Sequence, residues 1–170
     1  MRPRPLVLSA LFSALIAVGA WFSVPVPGGS VTLQLFFMLL CAYLLPPRAA
    51  LFSVLCYLTL GLCGAPVFAG FAGGLSIAAS PTFGFLVGMV PAAGLVSMLY
   101  RKFKAHKAAA LLSGAAGILL LYLCGGLYAS LIMPSAWSAF LLYLPADIIK
   151  LLAAAAVSKP LQSRLSALHK

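Results

Sequence analysis

Acidic residues are almost missing from this chain of 170 residues. Asp147 is the only one, against eleven lysines and arginines and a formal net charge of +10. Charge of either sign is scarce, at 7% against the roughly 25% usual in globular chains, so there is too little polar surface to cover a water-soluble domain. No GxxxxGK[ST] phosphate loop is present, which excludes ATP hydrolysis by this chain. No CxxC pair exists either, and Cys41, Cys56, Cys63 and Cys124 lie in or beside apolar segments, where free cysteine behaves as a small hydrophobe. The two histidines, His106 and His169, fall among basic loop and tail residues. With no histidine or second acid in the apolar segments there is no general base and no set of metal ligands, so the chain is expected to be no enzyme and to hold no metal or cofactor.

What is abundant is apolar sequence, at 64% hydrophobic residues and a mean hydropathy of +1.16. The expectation is an all-α membrane protein, a single six-helix transmembrane domain over residues 1–170, with spans near Leu6–Phe22, Val31–Leu45, Ala49–Leu62, Phe83–Tyr100, Ala108–Ile132 and Ala139–Val157. The second and third are shorter than the roughly 20 residues that cross the hydrocarbon core upright, so each is expected to extend into its flanking loop. Gly125–Gly126 interrupts the fifth, and Met133–Pro134 ends it. In the first, Ser9, Ser13 and Ala17 recur every four positions, and Ala10 and Ala14 repeat the spacing one position over, giving flat stripes for close helix packing, internal or external.

Two connections are rich in turn residues. Ser23–Val24–Pro25–Val26–Pro27–Gly28–Gly29–Ser30 is expected to be ordered but not helical. Residues 64–82 are glycine-rich and uncharged, with Phe68, Phe71 and Ile77 to bury, and are expected to form a re-entrant lid, since irregular backbone at membrane depth survives only against protein or a cavity. With the N-terminus in the cytoplasm, Arg2, Arg4, Arg48, Arg101, Lys102, Lys104, Lys107, Lys159, Arg164 and Lys170 all fall inside, while the outer connections carry no Lys or Arg. That bias places both termini in the cytoplasm and both turn-rich connections outside. It also explains the net charge without nucleic acid, which would need basic residues clustered on a soluble face.

Only Lys150 lacks a topological reason to exist. It lies in the last apolar segment, three positions after Asp147, on the same helical face. One Asp or Lys at the centre of a membrane helix costs about 2.5 to 3.5 kcal/mol, so the unpaired couple would cost roughly 5 to 7. Either they form an ion pair that satisfies only itself, or they converge on a third molecule. Thr32 and Gln34, the lid with Phe68, Gly73 and Thr82, and Tyr143 beside Asp147 would complete an apolar pocket with a few fixed polar groups. Lys150 suits a carboxylate and Asp147 suits N–H donors, so the expected ligand is compact, largely apolar, and carries one carboxylate and one amide-like group. The two are better read as separate contacts for that ligand than as partners for each other.

The strings Val24–Pro25–Val26–Pro27 with Val31–Thr32–Leu33–Gln34, Leu60–Gly61–Leu62–Cys63–Gly64–Ala65–Pro66–Val67–Phe68–Ala69–Gly70 with Gly73–Gly74, Pro81–Thr82, and Pro145–Ala146–Asp147–Ile148–Ile149–Lys150 together resemble the BioY family. This family comprises the biotin-specific substrate-binding (S) components of energy-coupling factor (ECF) transporters. The resemblance covers nearly the whole chain. It implies an S-component fold with outer-face loop lids in the bacterial cytoplasmic membrane, biotin as transported substrate, and as partners a transmembrane coupling protein and a pair of cytoplasmic ATPases. It also implies ligand contacts at Asp147 and Lys150, and docking of the coupling protein on Ala10, Ala14 and their neighbours. After the lid the chain departs from the Gly-Pro-Thr-Gly-Gly-Tyr common in the family, reading Ser80–Pro81–Thr82–Phe83–Gly84–Phe85 and so losing a glycine and a tyrosine hydroxyl from that wall. Alternatives that the residues leave open are a carrier for another small carboxylated vitamin or precursor, and a non-transport membrane assembly protein.

Overall fold

The structure is a computed structural model, which describes residues 3–26, 29–106, 108–132 and 143–167. Arg2, Pro27–Gly28, Lys107, Met133–Pro134, the expected start of the last helix at Ala139, and His169 and Lys170 lie outside those residues. Among the described residues there are six α-helices: α1 (Pro3–Trp21), α2 (Gln34–Leu44), α3 (Pro47–Leu62), α4 (Phe83–Lys102), α5 (Ala109–Ser130) and α6 (Leu144–Ala167). Strands β1 (Ser23–Val26) and β2 (Gly29–Thr32) pair antiparallel between α1 and α2, with Ser23 opposite Thr32 and Val26 opposite Gly29. The expected loop at residues 23–30 is thus a hairpin, and Val31 and Thr32 belong to its second strand rather than to a helix.

Helix α2 does not extend into its flanks. The hairpin fixes its start, Leu45 takes an extended conformation at its end, and its 11 residues span only about 16 Å. It can be this short because it is surrounded, packing against α1, α4 and α6. Met38, Leu39, Cys41 and Ala42 are wholly buried, the pattern of a helix that is apolar on every side. Pro46–Pro47 ends the passage sharply, since proline fits the first turn of α3 but not the interior of a helix.

Glycines bring α4 and α5 together. Gly84 lies against Tyr128, Gly88 against Cys124, Gly117 against Val96 and Gly125 against Phe85, each with no room for a Cβ. Helices in lipid gain nothing from exchanging one apolar neighbour for another, so close backbone approach at small residues is what holds them. This explains why Gly125–Gly126 does not interrupt α5: it is an interface, and the helix runs through it. Hydroxyls add cross-links. Ser9 of α1 donates to the Ala49 carbonyl of α3 at 3.0 Å, and Ser97 of α4 donates to the Leu45 carbonyl at the end of α2 at 2.7 Å.

The helices α4 and α5 are long and apolar enough to cross a membrane. Leu112, Leu119 and Leu127 on α5, and Ile148, Ile149 and Leu152 on α6, point away from the core. That continuous apolar exterior, together with the small charged fraction, makes this a membrane protein. The other helices differ from expectation at their ends: α1 begins at Pro3 rather than Leu6, α3 begins two residues before Ala49, α4 runs two residues past Tyr100, α5 ends at Ser130 rather than Ile132, and α6 continues beyond Val157 through Pro160 to Ala167.

Candidate functional site

The hairpin, the segment between α3 and α4, and the start of α6 all lie at one end of the bundle. The segment between α3 and α4 folds as turns and two short 3-10 helices, Ala69–Phe71 and Leu75–Ala79. It is tied down to three helices. Towards α1, Trp21 donates to the Pro66 carbonyl at 2.9 Å, and its ring stacks on Phe71 at 5.3 Å. Towards α3, the Phe68 ring sits on Gly61 and meets Tyr57 edge-on at 5.5 Å, while the Gly74 amide donates to the Gly61 carbonyl at 2.7 Å. Towards α5, the Tyr128 hydroxyl donates to the Ala78 carbonyl. Of the three apolar side chains expected to be buried, Phe68 is at 1% exposure and Ile77 is partly covered, but Phe71 is 63% exposed and held at φ 58°. Phe71 therefore packs outside the lid, against Trp21, and does not enter the site.

Beneath this lid lies a cavity of about 320 Å³, within the size range of small-molecule sites. Its apolar wall comes from Phe68 and Ile77 of the lid, Phe85, Leu86 and Met89 of α4, and Leu121 of α5. Its polar edge comes from Thr32, Gln34, Thr82, Tyr143, Asp147 and Lys150. Those six and Phe68 are sequence-predicted site residues that the fold brings together. Gly73 is not among them. It packs on the Ala65 carbonyl inside the lid, where a Cβ would collide, so its part is to let the lid fold back on itself. Ala10 and Ala14 are exposed along α1, whereas Ser9, Ser13 and Ala17 on the neighbouring stripe are buried in the bundle.

Asp147 sits in the first turn of α6, not at mid-helix, one turn before Lys150. Pro145 suits that first turn, and the positive end of the helix dipole favours a carboxylate there. In this structure the two charges are partners: Lys150 Nζ lies 2.7 Å from Asp147 Oδ1, with both side chains about nine-tenths buried. The Tyr122 hydroxyl donates to Asp147 Oδ2 at 2.8 Å. Both carboxylate oxygens are thus engaged and the site is neutral overall, which is how a buried charge avoids most of its desolvation cost. Lys150 has two further N–H donors and lines the cavity.

Gln34 forms the floor. Its Nε2 donates to the Tyr57 hydroxyl and lies against Met89 Sδ, each at 3.0 Å. Thr82 exchanges a 2.8 Å hydrogen bond with Ser80. Gly29 is a junction of the three connections, because a Cβ there would meet both Thr82 and the Tyr143 hydroxyl. Tyr122, Tyr57, Met89 and Gly29 escaped the sequence reading. Only Tyr122 carried a signal, a lone hydroxyl inside an otherwise apolar stretch of α5.

A model of the BioY family matches residues 1–167. The biotin transporter BioY of Thermotoga maritima is 37% identical over 159 residues, which cover 91% of this chain and 94% of that one. The probable biotin transporter BioY of Pyrococcus horikoshii is 37% identical over 128 residues, 75% of each chain. The biotin transporter BioY of Rhizobium etli is 33% identical over 177 residues, covering 94% of this chain and 93% of its own. Among solved structures, the crystal structure of the S-component for biotin from an ECF-type ABC transporter superimposes with a TM-score of 0.86 at 22% identity, over 94% of this chain and 91% of that one. At that identity the likeness is one of fold.

Proposed function

The chain belongs to the BioY family, and from that premise we propose that it takes up biotin across the bacterial cytoplasmic membrane as the substrate-binding component of an ATP-driven ECF-type transporter. The observation that carries this reading is the cavity with one ammonium, one carboxylate and an apolar wall under a tethered lid. Biotin has the complementary set: a carboxylate for Lys150, ureido N–H groups for Asp147, and an apolar bicyclic body for Phe68, Phe85 and Leu86. Charge-assisted hydrogen bonds of this kind fix orientation as well as strength. The chain acts as a binder and carrier rather than an enzyme.

Ala10 and Ala14, small and exposed on α1, support docking of a transmembrane coupling protein, and a pair of cytoplasmic ATPases would supply the energy. The distribution of Lys and Arg supports cytoplasmic termini and a lid that faces outward. One observation favours a second reading: Asp147 and Lys150 already satisfy each other, as they would in an assembly protein that merely uses the pair to hold α6.

Equilibrium binding to the purified protein in detergent separates the two. Biotin is expected to bind, and Lys150→Ala is expected to weaken biotin far more than biotinamide, which lacks the carboxylate. Equal losses for the two ligands would remove the assigned role of Lys150. Absence of any biotin binding by the unmodified protein would favour the second reading.

A further inference from the structure

We propose that Tyr122 is a positioning residue for the ligand: its hydroxyl holds the Asp147 carboxylate in place while Lys150 turns from Asp147 to the ligand's carboxylate. The inference rests on the biotin reading above. The Asp147 carboxylate is held at both oxygens, by Lys150 on Oδ1 and by Tyr122 on Oδ2. A carboxylate-bearing ligand must draw on Lys150, the cation that lines the cavity. As it does so, Oδ1 loses its strongest donor inside a poorly solvated site. The Tyr122 hydroxyl keeps a charge-assisted hydrogen bond on Oδ2 throughout.

The geometry suits a fixed support rather than a mobile one. Tyr122 reaches Asp147 from a different helix, α5, so the bond spans 25 residues and pins α6 to its neighbour. Its ring is braced edge-on by Phe85 at 5.7 Å and 89°, and Phe85 is in turn pressed against Gly125 of α5. Phe85 and Tyr122 both line the cavity, so the brace is set by the same wall that would contact the apolar body of the ligand. Oδ1, released by Lys150, then faces an incoming N–H donor with its orientation already set. The α4–α5 interface thereby contributes to recognition through a residue that need not touch the ligand itself.

Because Asp147 is the only acidic side chain in the protein, its carboxylate can be observed directly. The infrared difference between the purified protein and Asp147→Asn isolates the Asp147 stretch, and Tyr122→Phe removes one hydroxyl while keeping the ring. The expected result is a shifted carboxylate band in ligand-free Tyr122→Phe and an affinity for biotin about tenfold lower, the size of one hydrogen bond to a charged group. Unchanged affinity overturns the proposal. A loss of affinity with an unshifted band also overturns it, since the hydroxyl would then act elsewhere. Thermal unfolding of the ligand-free variant gives a further check: affinity lost only in proportion to lost folded protein means a structural role and overturns it. If the unmodified protein fails to bind biotin, the functional reading itself falls and takes this inference with it.

Discussion

The closure of the lid on α3 hangs on a glycine, and the sign of one substitution there depends on a second residue. Gly61 lies in the last turn of α3, and an added Cβ would penetrate the Phe68 ring. Phe68 is 1% exposed, so its ring can move away from Gly61 only by lifting the lid or by intruding on the cavity that it lines. Overpacking of this kind costs about 1–3 kcal/mol, against a gain of roughly 0.5–1 from replacing a helical glycine by alanine. Gly61→Ala is therefore expected to destabilise the protein by about 1 kcal/mol, within a range of roughly 0–2.5. Phe68→Ala should destabilise by about 3–5 kcal/mol, through lost burial and the cavity left behind. In that background the obstructing ring is gone and only the helix term remains, so Gly61→Ala should become stabilising by roughly 0.5–1 kcal/mol. Thermal unfolding of the four proteins in one detergent measures all the terms as a double-mutant cycle. The same penalty for Gly61→Ala in both backgrounds, or none in either, would refute the argument that this glycine exists to seat Phe68.

The buried charge pair and the orientation of the lid each give a further expectation. Lys150→Met leaves the Asp147 carboxylate without a counterion and should cost about 3–5 kcal/mol, whereas adding Asp147→Asn should recover most of that stability without recovering biotin binding. Unfolding midpoints check the first part and equilibrium binding the second; a double variant as unstable as the single one would contradict it. Cys63, exposed at the lid end of α3, should react in intact cells with a membrane-impermeant maleimide, while buried Cys41 should not. Labelling of Cys63 only after the membrane is opened would invert the proposed orientation.

Most of the helical plan was legible because lipid makes apolar length and the placement of charge decisive. Boundaries fell within a few residues for α3 and α4. The hairpin was not foreseen because its strands are four residues each and Pro25 lies inside one, a residue that argues against strand. Val26 and Gly29 pair across a two-residue connection, so a turn signal is present in Gly28–Gly29, but beside two prolines it points equally to an ordered loop without strands. Gly125–Gly126 misled for the opposite reason. Glycine breaks helices when water competes for the backbone, but in lipid it marks where another helix, here α4, comes close. Seven site residues could be gathered from sequence because each was a polar or aromatic side chain in a place that needed explaining. Tyr122 offered only a hydroxyl in an apolar stretch, and Gly29 nothing that pointed to the site, since no spacing links residue 122 to 147 or residue 29 to 143. Those neighbours exist only once α5 and the hairpin are packed.

The pairing of Asp147 with Lys150 alters the logic of recognition more than its location. Two unpaired charges would attract any ligand with either complementary group. A closed pair does not, because whatever enters must first match what the pair already has. A ligand with only a carboxylate can take Lys150, but it leaves Asp147 buried without its cation, held by the Tyr122 hydroxyl, and the site then carries an uncompensated negative charge. A ligand with only N–H donors can approach Asp147, yet it offers Lys150 nothing better than the partner it has. Only a molecule that presents both groups at the separation of the two side chains exchanges one ion pair for two charge-assisted contacts. Discrimination thus comes from the penalty imposed on half-matching ligands as much as from attraction to the right one. The self-satisfied pair that first argued against a binding role would, under the proposed function, be the element that makes binding selective.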